Sequence, residues 1–212
     1  MQRIKIYLVF CLCLVVLQTK AQRTINYNQD SVVRKHALKI NLLSPLFLTL
    51  NLAHEIKLSP HQSMQQVLAY TYFYSDGGNK KITDFKGIYY TLDYRIYRNN
   101  KKAWQGRYLN PFIRYNYINH KYYITDTTTN ITKNYQEKLQ GLSIGFAWGK
   151  QKIYRNKFLI DYSIGIFASL PLNRYQSEGT PTEIPVDAFV FYNSPFTDGV
   201  GIRPVLRFGY LF

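Results

Sequence analysis

Cysteine is missing from the part of this 212-residue chain that we expect to remain after export. The only two cysteines, Cys11 and Cys13, lie in the N-terminal stretch MQRIKIYLVFCLCLVVLQTKA. That stretch has basic residues at Arg3 and Lys5, a short apolar run and a small-x-small end, which is typical of a secretory signal peptide. We therefore predict a signal peptide over residues 1–21 and a mature chain without disulfides, thiol nucleophiles or cysteine metal ligands.

Long hydrophobic runs are also missing after residue 21. A helix needs about 20 apolar residues to cross a bilayer, and no segment of the mature chain offers them. Residues 22–36 are polar and have no period, so we interpret them as a flexible periplasmic lead. Residues 37–212 consist of short stretches in which apolar and polar residues alternate, separated by polar turns. This pattern predicts β-strands within one domain.

Acidic residues are scarce, with 12 Asp and Glu against 27 Lys and Arg, which gives a formal charge of +15. Loss of the three basic residues of the signal peptide lowers this charge to +12. An exported chain rarely meets nucleic acid, so an anionic membrane surface is the expected partner. The 20 tyrosines favour the same interpretation, because tyrosine is enriched where membrane meets water.

The alternating stretches predict eight strands: 37–43, 46–58, 63–74, 85–98, 108–123, 138–150, 157–170 and 200–212. An even number puts both mature termini in the periplasm, with the shorter connections on that side and the longer ones outside. The first outside connection is expected to be a tight one near Ser44-Pro45. The predicted fold is all-β: an eight-stranded antiparallel up-and-down transmembrane β-barrel of the outer-membrane type.

Most predicted strands have one apolar face and one polar or small face, as a membrane barrel requires, although a soluble β-sandwich shares this alternation. Charged residues on the polar face favour the barrel, because in its narrow interior they would meet and pair. We predict that three carboxylates hold four arginines in one network inside the barrel, with one inward-facing lysine beside them. The members of this lumenal charge network are Lys39, Glu55, Asp93, Arg95, Arg114, Asp161, Arg203 and Arg207.

The last strand alternates apolar and other residues up to a terminal phenylalanine. Phe208, Tyr210 and Phe212 resemble the signal by which the barrel-assembly machinery recognises outer-membrane barrels for insertion. Pro204 lies on the same face and lacks the N–H that a strand ladder uses. We therefore expect a break or bulge in the pairing at Pro204.

The stretch ALKINLLSPLFLTLNLAHEIKLSPHQSMQQ is similar to the start of an outer-membrane family common in Bacteroidota, the DUF3575 family of unknown function. The residues that carry the resemblance are Lys39, Asn41, Leu42, Leu43, Asn51, Leu52 and Glu55. The resemblance implies an eight-stranded barrel in the outer membrane of a Gram-negative bacterium, and it implies no activity. Ser44-Pro45 departs from the Tyr-Asp pair that such proteins often have at this place.

Signals for catalysis and for a cofactor are weak. His120 is the one candidate catalytic residue, because it lies near an outside loop with Asp126 and Thr127–Thr129 close in sequence. Such a residue could serve an enzyme that modifies lipid A. The four histidines have no paired spacing, and no phosphate-binding or dinucleotide motif is present, so we expect no metal and no cofactor.

Basic residues in or beside the predicted outside loops suggest contact with lipopolysaccharide, whose phosphates lie on that side. These residues are Lys80, Lys81, Lys121, Lys133 and Arg174. We therefore expect a structural or interaction role: bracing the envelope, binding lipopolysaccharide, or contacting a protein partner through the outside loops. The alternatives are a lipid A-modifying enzyme, a small channel and a soluble periplasmic sandwich.

Overall fold

The structure is a computed structural model. Antiparallel strands account for most of the residues that it describes. The described residues are 34–76, 81–98, 105–125, 132–155, 157–177 and 200–212. The predicted signal peptide and nearly all of the predicted lead lie outside these ranges. Within them, no helix is long and apolar enough to cross a membrane.

The eight strands form one closed ring. They are β1 (His36–Asn41), β2 (Thr49–Ser59), β3 (Gln62–Asp76), β4 (Lys81–Tyr97), β5 (Gly106–Thr125), β6 (Thr132–Tyr154), β7 (Phe158–Gln176) and β8 (Val200–Leu211). Each strand pairs antiparallel with the next, and β8 pairs with β1 to close the barrel. The predicted fold class is confirmed. In this up-and-down order, the start of β1 and the end of β8 lie at the same end of the barrel as the β2–β3, β4–β5 and β6–β7 hairpins.

The connection between β1 and β2 differs from the prediction. The structure ends β1 at Asn41 and forms a 3₁₀ helix over Ser44–Phe47, so Leu46 and Phe47 are not part of the second strand. Pro45 lies in the first turn of this helix, where its missing N–H costs nothing. Leu48 then adopts a left-handed backbone with φ 47°, which turns the chain into β2. The interpretation of Leu46 as strand was therefore wrong.

The strands at the opposite end from the termini are longer than predicted. Only residues 77–80 separate β3 from β4, and only residues 126–131 separate β5 from β6. The register continues to Asp76↔Ile82 and Thr125↔Thr132, because backbone N–H and C=O groups there gain ladder partners. Both connections are longer than residues 60–61 and 155–157 on the side of the termini but shorter than residues 98–105, so the expected difference in length is confirmed only in part. The segment between β7 and β8 is long, as expected.

Pro204 does not interrupt the sheet. The register of β7 with β8 passes through Ile164↔Pro204 without a shift. On the other side of β8, the paired residues of β1 end at Asn41↔Arg207, so Pro204 falls beyond that ladder. The predicted break at this residue was wrong, because the missing N–H removes no rung with β1. Register shifts occur instead between Lys57 and Ser59 and between Gln140 and Gly141.

The barrel is polar inside and apolar outside. Along β8, for example, Arg203 and Arg207 are 3% and 1% exposed, whereas Ile202, Phe208 and Tyr210 are 57%, 41% and 44% exposed. The same alternation holds on the other strands, where the buried residues face the interior. This polarity is the reverse of a soluble domain and is that of an outer-membrane barrel.

Three small apolar clusters separate the polar layers of the interior. The first cluster lies near the termini, and the other two follow towards the opposite end. Their members are Ala37, Leu159 and Leu211, then Phe112, Ala147 and Phe167, then Ala69, Tyr89, Ile118 and Leu139. Gly145 lets the second cluster form, because a Cβ there would lie 2.8 Å from Phe112 Cζ and 2.7 Å from Phe167 Cβ. The filled interior is therefore a packed core built around charges.

Candidate functional site

Asp161 is the centre of the charge network inside the barrel. Its Oδ2 accepts hydrogen bonds from Lys39 Nζ at 3.1 Å and from Arg95 Nη2 at 2.8 Å. Its Oδ1 accepts one from the Tyr108 hydroxyl at 2.5 Å. Arg207 Nη1 lies 3.8 Å from the same carboxylate. Asp161 thus joins side chains from β1, β4, β5 and β8 while it is itself on β7.

Glu55 forms the second part of the network. It makes a salt bridge with Lys39 and accepts hydrogen bonds from the hydroxyls of Ser63 and Tyr97, the latter at 2.7 Å. Arg95 Nη1 lies 3.6 Å from Glu55 Oε2. Lys39 is therefore held between two carboxylates. This pairing offsets the cost of burying its charge.

Asp93 anchors a third part, one layer further from the termini. Arg203 Nη1 donates to Asp93 Oδ1 at 2.9 Å, and Gln65 Nε2 donates to Asp93 Oδ2 at 2.6 Å. The guanidinium of Arg203 also lies over the ring of Phe112, 4.5 Å from its centroid. This aromatic contact links the charged layer to the second apolar cluster.

Arg114 differs from the other predicted members in its contacts. Its Nε donates to Thr91 Oγ1 at 3.3 Å, and its guanidinium lies 5.1 Å from the centroid of the Phe167 ring. The structure therefore brings all eight predicted network residues into the interior. It places Lys39, which the sequence left without an assigned partner, at the point where Glu55 and Asp161 meet.

Uncharged residues complete the network, and sequence reasoning did not identify them. Gln151 Oε1 accepts from Lys39 Nζ at 2.7 Å and from Arg95 Nη1 at 3.1 Å. The ring of Tyr108 lies under the Arg95 guanidinium, 4.4 Å from its carbon. Both residues occupy inward positions by strand alternation, so the period that located the charges could also have located them.

The network occludes the barrel. Lys39, Glu55, Asp93, Arg95, Asp161 and Arg207 are each at most 1% exposed. These six side chains come from β1, β2, β4, β7 and β8, so they meet across the interior. Water reaches the lining of an open pore, and these lining side chains are inaccessible.

His120 faces the interior near the end opposite to the termini. It is 7% exposed, its Cα pairs with those of Phe85 and Glu137, and its ring centroid lies 5.8 Å from that of Phe85. Asp126 and Thr127–Thr129, the residues considered with it, lie outside the described part of the chain. Among the described residues, no group of three or more His, Cys, Asp or Glu could hold a metal ion.

The basic residues predicted for the outside loops have different environments. Lys121 and Lys133 are on strands β5 and β6, half-buried and exposed respectively. Arg174 is on β7, and its Nε donates to Glu137 Oε1 at 2.5 Å. Lys81 begins β4, but its side chain lies outside what the structure describes, as does Lys80 altogether. Lys133 and Arg174 are therefore strand residues and not loop residues, whereas Lys121 lies on the strand that was predicted for it.

A sequence model of the family described as "Protein of unknown function (DUF3575)" matches residues 7–187. The chain belongs to the DUF3575 family. The match begins within the predicted signal peptide and includes the first seven strands of the barrel. The family resemblance that the first strands indicated is thus confirmed. No curated protein matches the chain significantly.

Solved barrels are similar to this DUF3575 protein at low identity. The attachment invasion locus protein Ail of Yersinia pestis is 12% identical, with a TM-score of 0.48, over 84% of this chain and 99% of that one. The Acinetobacter baumannii protein CarO is 12% identical, with a TM-score of 0.42, over 87% of this chain and 99% of that one. The N-terminal barrel domain of Pseudomonas aeruginosa OprF is 10% identical, with a TM-score of 0.30.

The last residues of this DUF3575 barrel lie at the β1–β8 seam. Phe212 and His36 exchange backbone hydrogen bonds of 2.9 and 3.1 Å, and their rings stack with centroids 5.7 Å apart. His54 stacks on His36 in turn, at 5.4 Å. Phe208, Tyr210 and Phe212 all face outwards and are 41–55% exposed. Their role as an insertion signal stays a prediction.

Proposed function

We propose that this protein is a non-conducting barrel of the bacterial outer membrane with a structural or interaction role. It braces the envelope and contacts lipopolysaccharide or a protein partner on the outer side. The observation that carries the proposal is the sealed interior, in which Arg95, Asp161 and their partners are inaccessible to water. A barrel that passes no solute acts through its wall and its ends, and the apolar wall supports a place in a membrane.

The orientation that we propose puts both mature termini in the periplasm. The end that carries the 3₁₀ helix at Ser44–Phe47 then faces outwards, together with the β3–β4, β5–β6 and β7–β8 connections. An epitope tag placed before Lys35 should be cleaved by added protease only after the outer membrane is permeabilised. Cleavage of this tag in intact cells would reverse the orientation.

The sealed interior is tested by conductance. Purified chain should first show heat-modifiable migration on a gel, which establishes a folded barrel. In planar lipid bilayers the same preparation should give no discrete conductance steps, with a porin as the positive control. Steps from the folded chain would refute the non-conducting role and favour the small channel.

We also propose that the protein has no catalytic role. The enzyme alternative depends on His120, whose ring packs beside Phe85 on the inner side of the wall, whereas lipid A lies on the outer side. Mass spectra of lipid A from a deletion strain should match those of the parent strain. A difference that the wild-type chain reverses and a His120→Ala chain does not would identify an enzyme. The deletion strain should instead become more sensitive to detergent, as loss of an envelope brace predicts.

A further inference from the structure

Two lysines and two tyrosines form a continuous row on the outside of the barrel wall. Consecutive Cα partners across five strands are Tyr72↔Lys86, Lys86↔Asn119, Asn119↔Lys138 and Lys138↔Tyr175. All five residues occupy outward-facing positions, with Asn119 half-buried between the two lysines and the other four exposed. Neighbouring strands are about 4.8 Å apart, so the two lysine Cα atoms are separated by about 10 Å.

Each lysine of the row lies over a tyrosine ring. Lys86 Nζ is 5.5 Å from the centroid of Tyr72, and Lys138 Nζ is 5.9 Å from that of Tyr175. A cation over an aromatic face keeps its other N–H donors for a second partner. Asp84 Oδ2 lies 3.2 Å from Lys86 Nζ, and the side chains of Lys86 and Asp84 are 47% and 21% exposed. Because this ion pair is open to water, Asp84 competes only weakly with a second partner for Lys86.

A third lysine lies in the next row of outward-facing residues, further from the termini. Lys121 faces outwards on β5, and its Cα pairs with those of Asp84 and Gln136. Gln136 Nε2 donates to Asn119 Oδ1 at 2.8 Å, which joins the two rows. We call Lys86, Lys121 and Lys138 the outer lysine patch. With Asp84 counted, the patch keeps an excess of positive charge on the wall.

The outer lysine patch lies on one side of the barrel only. Apart from Asp76, the last residue of β3, the outward-facing strand residues that the structure describes on β1, β2, β3, β7 and β8 include no Lys, Arg, Asp or Glu. On β4 and β5, Ile88 and Tyr115 are exposed just below the patch, at 48% and 40%, and belong to the apolar band. The charge is therefore local and borders the region that contacts acyl chains.

The depth of the patch matches a lipid headgroup. On β6 the outward-facing lysines Lys138 and Lys150 are 12 residues apart, with Gln140, Leu142, Ile144, Phe146 and Trp148 between them. At about 3.4 Å per residue and a tilt of about 40°, the two lysines are about 30 Å apart along the barrel axis. This is close to the thickness of a hydrocarbon core. Lys150 lies on the side of the termini, so Lys138 lies at the opposite membrane surface.

We propose that the outer lysine patch binds a phosphorylated headgroup of the outer leaflet, the lipid A phosphates of lipopolysaccharide, with Lys86 and Lys138 as the two phosphate-contacting residues. The proposal rests on the orientation given under the proposed function. Lipid A presents phosphates at the level of the patch and acyl chains against Ile88 and Tyr115 below it. Lysines that project from the wall reach a phosphate of a neighbouring lipid directly, whereas Lys39 inside the barrel is sealed from it.

The test is a comparison of lipid A bound to three forms of the full chain, measured by native mass spectrometry from detergent. The variant is Lys86→Gln with Lys138→Gln, and its matched control at the opposite membrane surface is Lys150→Gln with Lys152→Gln. Near a membrane surface each lysine contributes a factor of about five, so the patch variant should bind bis-phosphorylated lipid A about 25-fold more weakly. The control should bind it as the wild-type chain does.

Two further arms separate phosphate binding from other effects. Dephosphorylated lipid A should bind wild-type chain and patch variant equally, and phosphatidylglycerol should not displace lipid A from the wild-type chain. Asp84→Asn should strengthen lipid A binding, because it removes the competing carboxylate beside Lys86. Equal binding by the patch variant and its control, tight binding of dephosphorylated lipid A, or weaker binding by Asp84→Asn would overturn the proposal. Conductance and gel migration, which test the proposed function, should be unchanged in every variant.

Discussion

Replacement of Asp161 by asparagine tests whether the charge network holds the barrel together. The Asp161 carboxylate accepts hydrogen bonds from Lys39, Arg95 and Tyr108, and the side chain is inaccessible to water. Asparagine has one oxygen where the carboxylate has two, and its amide group would point N–H donors at one or more cations. Lys39 and Arg95 would then lie close together with Glu55 as their shared carboxylate.

The expected loss is large for one substitution. Removal of one partner from a buried ion pair costs about 3–5 kcal/mol, because a charge stays buried without compensation. With a urea dependence of about 2 kcal/mol per molar, the unfolding midpoint of Asp161→Asn should fall by about 2 M. The assay is urea unfolding of the refolded barrel in lipid vesicles, followed by tryptophan fluorescence and by heat-modifiable migration.

A matched control and a double variant make this test specific. Asp84→Asn removes a carboxylate from an exposed pair with Lys86, so it should cost less than about 1 kcal/mol. The double variant Lys39→Met with Asp161→Asn should lose less than the sum of the two single losses, because both act on one network. The reasoning is refuted if Asp161→Asn unfolds within about 0.5 M of the wild-type midpoint.

The other predictions concern the interior packing and the chain end. Gly145→Val should destabilise the barrel by about 1–3 kcal/mol in the same urea assay, because the valine side chain would overlap Phe112. The control Ile144→Val, on the lipid face, should not destabilise it. Equal effects of the two substitutions would contradict the close packing of Gly145 against Phe112. Phe212→Ala should lower the amount of folded barrel in cells several-fold, while the free energy of unfolding of the refolded variant stays within about 1 kcal/mol of the wild-type value. Phe158→Ala should change neither the amount in cells nor this free energy. Normal assembly of Phe212→Ala would show that the terminal ring is no insertion signal.

The period of two in the sequence was sufficient to predict which residues face the interior and which face the membrane. It assigned Asp93 and Arg95 to the interior and Ile88 and Ile96 to the wall, and their burial agrees. Alternation alone could not separate a barrel from a sandwich, since both need one apolar face. The charged residues on the other face decided it, because a narrow interior is where such a set can be mutually paired.

Strand ends and pairing partners were beyond the sequence. The extension of β5 to Thr125 depends on ladder bonds with Thr132, which the local sequence does not encode. The place of Gln151 between Lys39 and Arg95 depends on the stagger of β6 against its neighbours around the ring. The salt bridge of Arg174 on β7 likewise depends on Glu137 lying on the neighbouring strand β6. Such contacts join residues far apart in the chain, so no local pattern can predict them.

The ladder that closes the barrel has a consequence for how the protein folds. The seam between β1 and β8 has five registered pairs, and it joins the first strand made to the last. The ring therefore cannot close during synthesis, and its contact order is high, which makes spontaneous folding slow. Before closure, Arg203 on β8 would meet hydrocarbon without its partner Asp93, which lies on β4 across the interior. Insertion into the bilayer and closure of the seam should thus be one cooperative event, with no stable open sheet between them.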